Sequence, residues 1–128
     1  MIVRARAPLR LGLAGGGTDV SPYSDLHGGR VLNATIGLYA YCTLEPSADA
    51  AIEIRATDLG ETFRAPAGTP LETTGPLMLH KGILNRLARQ FPAAGPLAVR
   101  LTTHADVSAG SRLGTSSTLV VAMLQALH

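Results

Sequence analysis

The first part of the chain alternates apolar and polar positions with a period of two, which is typical of strands that bury one face. Residues 2–13 follow this pattern on both sides of Pro8, so we expect two short strands there, broken near that proline. Residues 31–44 form a second apolar-rich run. That run predicts one long strand or two broken ones, with a bulge or turn at Gly37.

The later part of the chain changes from the strand period to helical spacing. Residues 51–55 and 61–64 still predict a β-hairpin. Apolar side chains then recur every three or four residues, which predicts an amphipathic helix that Pro92 ends. Residues 97–104 predict a further strand, and a helix is expected from residue 115 onward. This order of elements favours an α+β fold with a mixed sheet.

Polar residues indicate where the helices begin and which faces they expose. In the amphipathic helix we expect Lys81, Arg86 and Arg89 to form a solvated face. A short helical turn is expected earlier in the chain, with Ser21 as its N-cap and Pro22 as its first helical residue.

The last predicted helix is apolar nearly all round. Residues 119–127 contain a single polar side chain, Gln125. Such a helix is normally buried on every side, yet no later element is present to cover it. We therefore favour a chain that is the front portion of a longer protein over a helix that packs in a dimer.

Composition narrows the class of protein. Eleven basic and nine acidic residues among 128 give a net charge of +2, without the concentrated basic face of nucleic-acid binders. The one cysteine, Cys42, excludes a disulfide framework and is expected to be an inert buried thiol. No apolar stretch approaches the ~20 residues needed to span a bilayer, and no signal peptide is evident. We expect a cytoplasmic protein with neither membrane nor nucleic acid as a partner.

A glycine- and serine-rich loop precedes the last helix. Gly110 and Gly114 allow tight turns, and the start of a helix supplies unpaired amides and partial positive charge, so residues 106–117 are suited to a polyphosphate. A plain loop with a Ser or Thr N-cap is an equally weighted alternative. The loop lacks the lysine of a Walker A motif, and no Gly-x-Gly-x-x-Gly pattern supports dinucleotide binding.

A second motif spans residues 6–19, where a strand opens into a glycine loop. Its carboxylate, Asp19, could accept hydrogen bonds from sugar hydroxyls, and Arg10 could face developing phosphate charge. A surface arginine followed by an Asx-turn is the commoner situation for such residues taken alone.

The two motifs together resemble the GHMP kinase superfamily, which includes galactokinase and the homoserine and mevalonate kinases. Residues 7–19 and 29–36 are most similar to the branch that phosphorylates a heptose 7-phosphate. The resemblance implies an α+β fold of the ribosomal-protein-like type, a mixed sheet with helices on one face. Residues 1–128 would form the amino-terminal, ATP-binding domain, with the carboxy-terminal domain absent.

The resemblance also implies roles for individual residues. Arg10 matches the arginine near the reacting hydroxyl, as the catalytic residue, and Ser116 matches the hydroxyl that ligates Mg²⁺. Asp19 matches the residue that holds the sugar; a place for Tyr23 in that pocket is no more favoured than simple packing. The sugar pocket would comprise Gly16, Gly17, Thr18, Asp19 and Tyr23, and the ATP phosphates would be wrapped by Gly110, Ser111, Arg112, Leu113, Gly114, Thr115, Ser116 and Ser117.

The activity implied is ATP- and Mg²⁺-dependent phosphorylation of the anomeric hydroxyl of D-glycero-α-D-manno-heptose 7-phosphate, giving the 1,7-bisphosphate on the way to GDP-heptose. Alternatives are another GHMP sugar kinase acting on fucose, or a non-catalytic module that binds nucleotide or sugar phosphate. An RNA-binding domain is disfavoured by the low charge and by the lack of an aromatic stacking surface.

The sequence also departs from the family pattern. Arg112 stands where a glycine is usual, and it would crowd the loop if the position requires a positive φ. Ser108 and Ala109 replace frequent prolines. The family's later magnesium-binding Glu and candidate base Asp have no counterpart here, so we expect these 128 residues alone to turn over poorly or not at all.

Overall fold

The computed structural model describes residues 1–92 and 95–128. It confirms an α+β fold with one five-stranded sheet. Within these described residues, no helix has the length and apolarity to cross a bilayer. The elements, in chain order, are β1 (Val3–Ala14), α1 (Tyr23–His27), β2 (Leu32–Pro46), β3 (Ala51–Ala56), β4 (Glu61–Pro66), α2 (Met78–Gln90), β5 (Val99–Ala105) and α3 (Thr115–Leu127).

The sheet has the strand order β1-β2-β5-β3-β4, so β1 and β4 form its edges. Strands β3 and β5 run parallel, and the other neighbouring strands pair antiparallel. The sheet is therefore mixed, as expected. Helices α2 and α3 pack on the same side of it, since their buried side chains join one apolar cluster with Cys42, Ile54 and Leu101 from the central strands.

The prediction of two strands broken at Pro8 is wrong, because β1 is continuous through that residue. A proline cannot donate a ladder hydrogen bond, but an edge strand has one side without a partner and tolerates it. The irregularity lies on β2 instead. Pro8 is opposite Tyr39 and Arg10 is opposite Thr35, so β2 contains two extra residues around Gly37.

Helix α2 ends at Gln90, two residues before Pro92 and close to its predicted end. Its polar face is smaller than expected. Arg86 and Arg89 are exposed, as predicted. The prediction for Lys81 is wrong, because that residue is only 7% exposed. Its Nζ donates to the Thr74 carbonyl at 3.3 Å and lies 4.3 Å from the centre of the Phe63 ring. These contacts allow the long side chain to lie against the core while its charge remains partnered.

The expected capping of α1 is also wrong. The helix begins at Tyr23, and Pro22 occupies the N-cap position without a side-chain cap. The Ser21 hydroxyl donates instead to the Asp25 carboxylate at 2.5 Å, since an ionised acceptor makes the stronger hydrogen bond.

Helix α3 is buried along one face only. Thr118, Ala122 and Met123 face the sheet, whereas Val121 and Leu124 are 57% and 43% exposed. As expected, no element in the described part of the chain covers the outer apolar face of this helix.

Candidate active site

Strand β1, which leads into the glycine loop of the first motif, and the loop that precedes α3 lie side by side. The main-chain amide of Arg10 donates to the Leu113 carbonyl at 3.2 Å. A Cβ added to Gly114 would lie 3.4 Å from Nε of Arg10. Because this glycine has no side chain, the arginine can lie across the start of α3. The two sequence motifs thus meet at one place in the fold.

The loop before α3 contains three residues with a left-handed backbone conformation, which turn the chain tightly. The φ angles are 84° at Gly110, 60° at Arg112 and 76° at Gly114. Glycine adopts this region freely, but Arg112 does so at a cost. Position 112 therefore has the positive φ under which we expected an arginine to crowd the loop.

The start of α3 offers main-chain donors. The first helical hydrogen bond runs from the Thr118 amide to the Gly114 carbonyl at 3.0 Å. The amides of Thr115, Ser116 and Ser117 precede that ladder and lack helical acceptors. Together with the helix dipole they favour an anion at this end of the helix.

Hydroxyl groups surround these amides. The Ser111 and Thr115 hydroxyl oxygens are 3.2 Å apart, and the side chains of Ser116 and Ser117 are exposed. Polyphosphates accept hydrogen bonds from amides and hydroxyls, and a hydroxyl oxygen is a suitable ligand for Mg²⁺. This donor set fits a magnesium–nucleotide complex.

The glycine loop after β1 is closed by one threonine. The Thr18 hydroxyl donates to the Gly15 carbonyl at 2.7 Å, lies 3.0 Å from the Arg30 carbonyl and accepts the Arg30 amide at 3.1 Å. The two segments touch at glycines, since a Cβ on Gly15 would overlap the Arg30 carbonyl and one on Gly29 would overlap the Thr18 carbonyl. The hydroxyl of Thr18 is thus used to hold the loop.

The remaining predicted sugar-pocket residues lie on this loop and on α1. Gly16, Gly17 and Asp19 are exposed on the loop that Thr18 closes. Tyr23 is 49% exposed, and its ring lies 5.0 Å from that of His27. The loop therefore presents a carboxylate and open backbone to solvent.

Sequence reasoning gave no individual role to two polar residues whose side chains make hydrogen bonds next to these motifs. Asn33 accepts a hydrogen bond from Nη1 of Arg10 at 2.9 Å. Asp106, at the end of β5, accepts the Tyr39 amide at 2.8 Å and the Tyr41 hydroxyl at 3.3 Å. Desolvation and the nearby Asp106 raise the pKa of Tyr41. Both contacts depend on strand register, which the pattern of residue types does not specify.

The expected lack of an aromatic surface is wrong. The rings of Tyr39 and Tyr41 are 6.1 Å apart, and those of Tyr41 and His104 are stacked at 6.3 Å. The guanidinium of Arg6 lies over the Tyr39 ring at 4.7 Å. These side chains face away from the helices, since their neighbours Cys42 and Thr103 point into the core.

No protein-family model matches the chain. Individual relatives do. The chain is 44% identical over 124 residues to the D-glycero-alpha-D-manno-heptose 7-phosphate kinase of Campylobacter jejuni, a match that covers 97% of this chain and 36% of the relative. It is 32% identical to the L-fucokinase/L-fucose-1-P guanylyltransferase of Bacteroides fragilis. That match covers 99% of this chain and 16% of the relative. The chain thus spans about a third of the length of the first of these relatives.

Solved structures agree with these matches. A D-glycero-D-manno-heptose 1-phosphate kinase from Bacteroides thetaiotaomicron superimposes with a TM-score of 0.90 at 50% identity, over 99% of this chain and 41% of that one. The mevalonate kinase of Methanococcus jannaschii shares the fold, with a TM-score of 0.75 at 13% identity, over 99% of this chain and 39% of that one.

Fold and site together define the class: the chain has the fold of GHMP-superfamily kinases over part of their length, and the two motifs that resemble that superfamily meet at one place in it. In sequence, the chain is similar to the heptose-phosphate kinases named above.

Proposed function

We propose that the chain forms the nucleotide- and sugar-binding part of an ATP-dependent kinase. The substrate would be D-glycero-α-D-manno-heptose 7-phosphate, phosphorylated on its anomeric hydroxyl in the cytoplasm. The observation that supports the proposal is the contact of Arg10 with Leu113, which joins the strand that leads into the carboxylate-bearing loop to the loop before α3.

Phosphoryl transfer depends on positioning the reactants and on neutralising phosphate charge. The amides at the start of α3 and the hydroxyls of Ser111 and Thr115 would hold the ATP phosphates, with Ser116 as a ligand of Mg²⁺. The bound ion supplies charge neutralisation on the phosphates. Arg10 would stabilise the charge that develops on the transferred group.

The sugar would be oriented by the loop after β1. The exposed Asp19 carboxylate can accept hydrogen bonds from two sugar hydroxyls, and these bonds are stronger than those to a neutral acceptor. The anomeric oxygen then forms a bond to the γ-phosphorus as the bond to the ADP oxygen breaks, and the hydroxyl proton passes to solvent water. Arg112 would add a positive charge to the loop before α3 that holds the ATP phosphates.

A second candidate is a kinase that acts on fucose, favoured by the 32% identity to the L-fucokinase/L-fucose-1-P guanylyltransferase. The two candidates differ only in the sugar, so a substrate panel separates them. The same panel should include heptose 1-phosphate, because the two heptose-kinase relatives carry different phosphate positions in their names.

The experiment is a ³¹P NMR assay of the intact gene product with Mg-ATP and each sugar. We expect a new phosphorus signal coupled to the anomeric proton when heptose 7-phosphate is present. Ser116→Ala should lower the rate at least about 10-fold, whereas Ser47→Ala, between β2 and β3, should leave it unchanged. Product from fucose alone, or ATP hydrolysis without sugar phosphorylation, would contradict the proposal.

A further inference from the structure

We infer that Asn33 is a positioning residue, which holds the guanidinium of Arg10 in the orientation that phosphoryl transfer requires. This inference rests on the proposed function, since it assumes that Arg10 acts on the transferred phosphoryl group. It adds a residue of β2 that belongs to neither of the two motifs.

The side-chain amide of Asn33 fixes one end of the arginine. Its Oδ1 accepts from Nη1 of Arg10 at 2.9 Å, a charge-assisted hydrogen bond and therefore stronger than a neutral one. Asn33 is opposite Gly12 in the pairing of β1 with β2. A Cβ on Gly12 would lie 3.6 Å from Oδ1 of Asn33 and 3.8 Å from Nη1 of Arg10, so this glycine leaves the space that the pair occupies.

The stem of the arginine lies against the loop before α3. Its main-chain amide is bonded to Leu113, and its Nε passes close to Gly114. An unrestrained arginine carries about 2 kcal/mol of rotamer entropy, which must be lost each time the side chain is oriented. Packing against Gly114 and the hydrogen bond to Asn33 would restrict the side chain before substrates bind.

The chemical identity of residue 33 is also informative. An amide oxygen accepts the hydrogen bond without a formal charge, so the guanidinium keeps its positive charge for the phosphates. A carboxylate at the same place would form an ion pair and reduce the field that Arg10 exerts on the transferred group. Asparagine therefore orients Arg10 without neutralising it.

The test is a double-mutant cycle in the active kinase, with kcat and the KM for ATP measured separately. We expect Asn33→Ala to lower kcat about 10- to 100-fold, the cost of misplacing a catalytic group, while the KM for ATP changes less than about 3-fold. In an Arg10→Lys background, which lacks Nη1, the same Asn33→Ala change should alter kcat by less than about 2-fold. Asn33→Asp should also lower kcat, although it retains the acceptor oxygen.

Asn85→Ala is the matched control, because among the residues described the Asn85 side chain makes hydrogen bonds only to the main chain of Leu71, at 2.9 and 2.6 Å. It should lower Tm and leave kcat nearly unchanged. Equal effects of Asn33→Ala in the wild-type and Arg10→Lys backgrounds, or a full-activity Asn33→Asp enzyme, would overturn the role of Asn33 alone. An Arg10→Lys enzyme with unchanged kcat would overturn the proposed role of Arg10 as well.

Discussion

The amide of Arg10 and the carbonyl of Leu113 are joined by a 3.2 Å hydrogen bond, which ties an edge strand to the loop before α3. Edge strand β1 and helix α3 are far apart in the chain, and the bond joins the first motif to the loop before α3. Under the proposed function, a nucleotide held at the start of α3 would therefore lie next to Arg10.

The glycine loop depends on close backbone approach at Gly29. A Cβ there would overlap the Thr18 carbonyl and lie 2.8 Å from Cα of Asp19. We expect Gly29→Ala to displace Asp19, raise the KM for the sugar at least about 10-fold, and cost about 1–3 kcal/mol of stability. Steady-state kinetics with sugar and ATP varied separately will check this, since the KM for ATP should change little.

Gly37→Ala serves as the control for that substitution. A Cβ at Gly37 meets no atom within 4 Å in the described part of the chain. If Gly29→Ala and Gly37→Ala have equal effects on the KM for the sugar, close packing of this loop is not what orients Asp19.

Arg112 combines an unfavourable backbone with a favourable charge. The left-handed φ of 60° costs about 1–2 kcal/mol for a side chain other than glycine, partly offset by the freedom that glycine adds to the unfolded chain. We expect Arg112→Gly to raise the free energy of unfolding by about 0.5 kcal/mol and to weaken ATP binding. Arg112→Lys keeps the charge and should retain more of the ATP affinity, as measured by calorimetry; tighter ATP binding by the glycine variant would contradict a phosphate contact.

His80 should make stability fall in mild acid. It is 3% exposed, desolvation lowers its pKa, and its Nδ1 has no partner among the residues described. In the unfolded state, His80 binds a proton as the pH falls through about 6.5, whereas the folded state does not yet bind it. The free energy of unfolding therefore has its full value above this pH and decreases below it. The loss cannot exceed about 1.4 kcal/mol for each pH unit.

Chemical denaturation at pH 7.5 and pH 5.5 measures this effect. His80→Gln keeps a hydrogen-bonding group for the Thr103 hydroxyl, which lies 2.9 Å from Nε2, and should flatten the pH dependence. His128→Gln, at the exposed end of α3, should leave it in place. An unaltered pH dependence in His80→Gln would show that other groups are responsible.

Cys42 should be chemically inert in the folded protein. Its side chain is 1% exposed, and burial raises its pKa to about 12. The thiolate is the reactive form, so the native protein should react with iodoacetamide at pH 8 at least about 100-fold more slowly than the protein unfolded in guanidinium chloride. Comparable labelling rates in the two states would contradict burial of this thiol.

The sequence predicts this fold well where the signal is local. The hairpin of β3 and β4, helix α2 with its end shortly before Pro92, and the glycine loop before α3 all follow from periodicity and turn residues. Lys81 differs, because its burial depends on Phe63 and Thr74, which only the tertiary fold brings near.

The site shows the same division. Gly110, Gly114 and Asp19 stand in recognisable motifs, whereas the pairing of Asn33 with Arg10 depends on a register set by two extra residues in β2. An isolated asparagine in a strand pattern carries no signal of that kind, since many registers would leave it elsewhere.

The central claim is that the two sequence motifs form one binding site. The most direct test of this claim is paramagnetic broadening of amide signals in the ¹⁵N-labelled protein titrated with Mn-ADP. The manganese ion replaces Mg²⁺ and broadens amides near it. We predict that amides of residues 10–19 and 110–117 broaden together, while those of β4, at the far edge of the sheet, remain sharp. Broadening of only one of the two loops, or of the sheet face that carries Tyr41 and His104, would contradict the account.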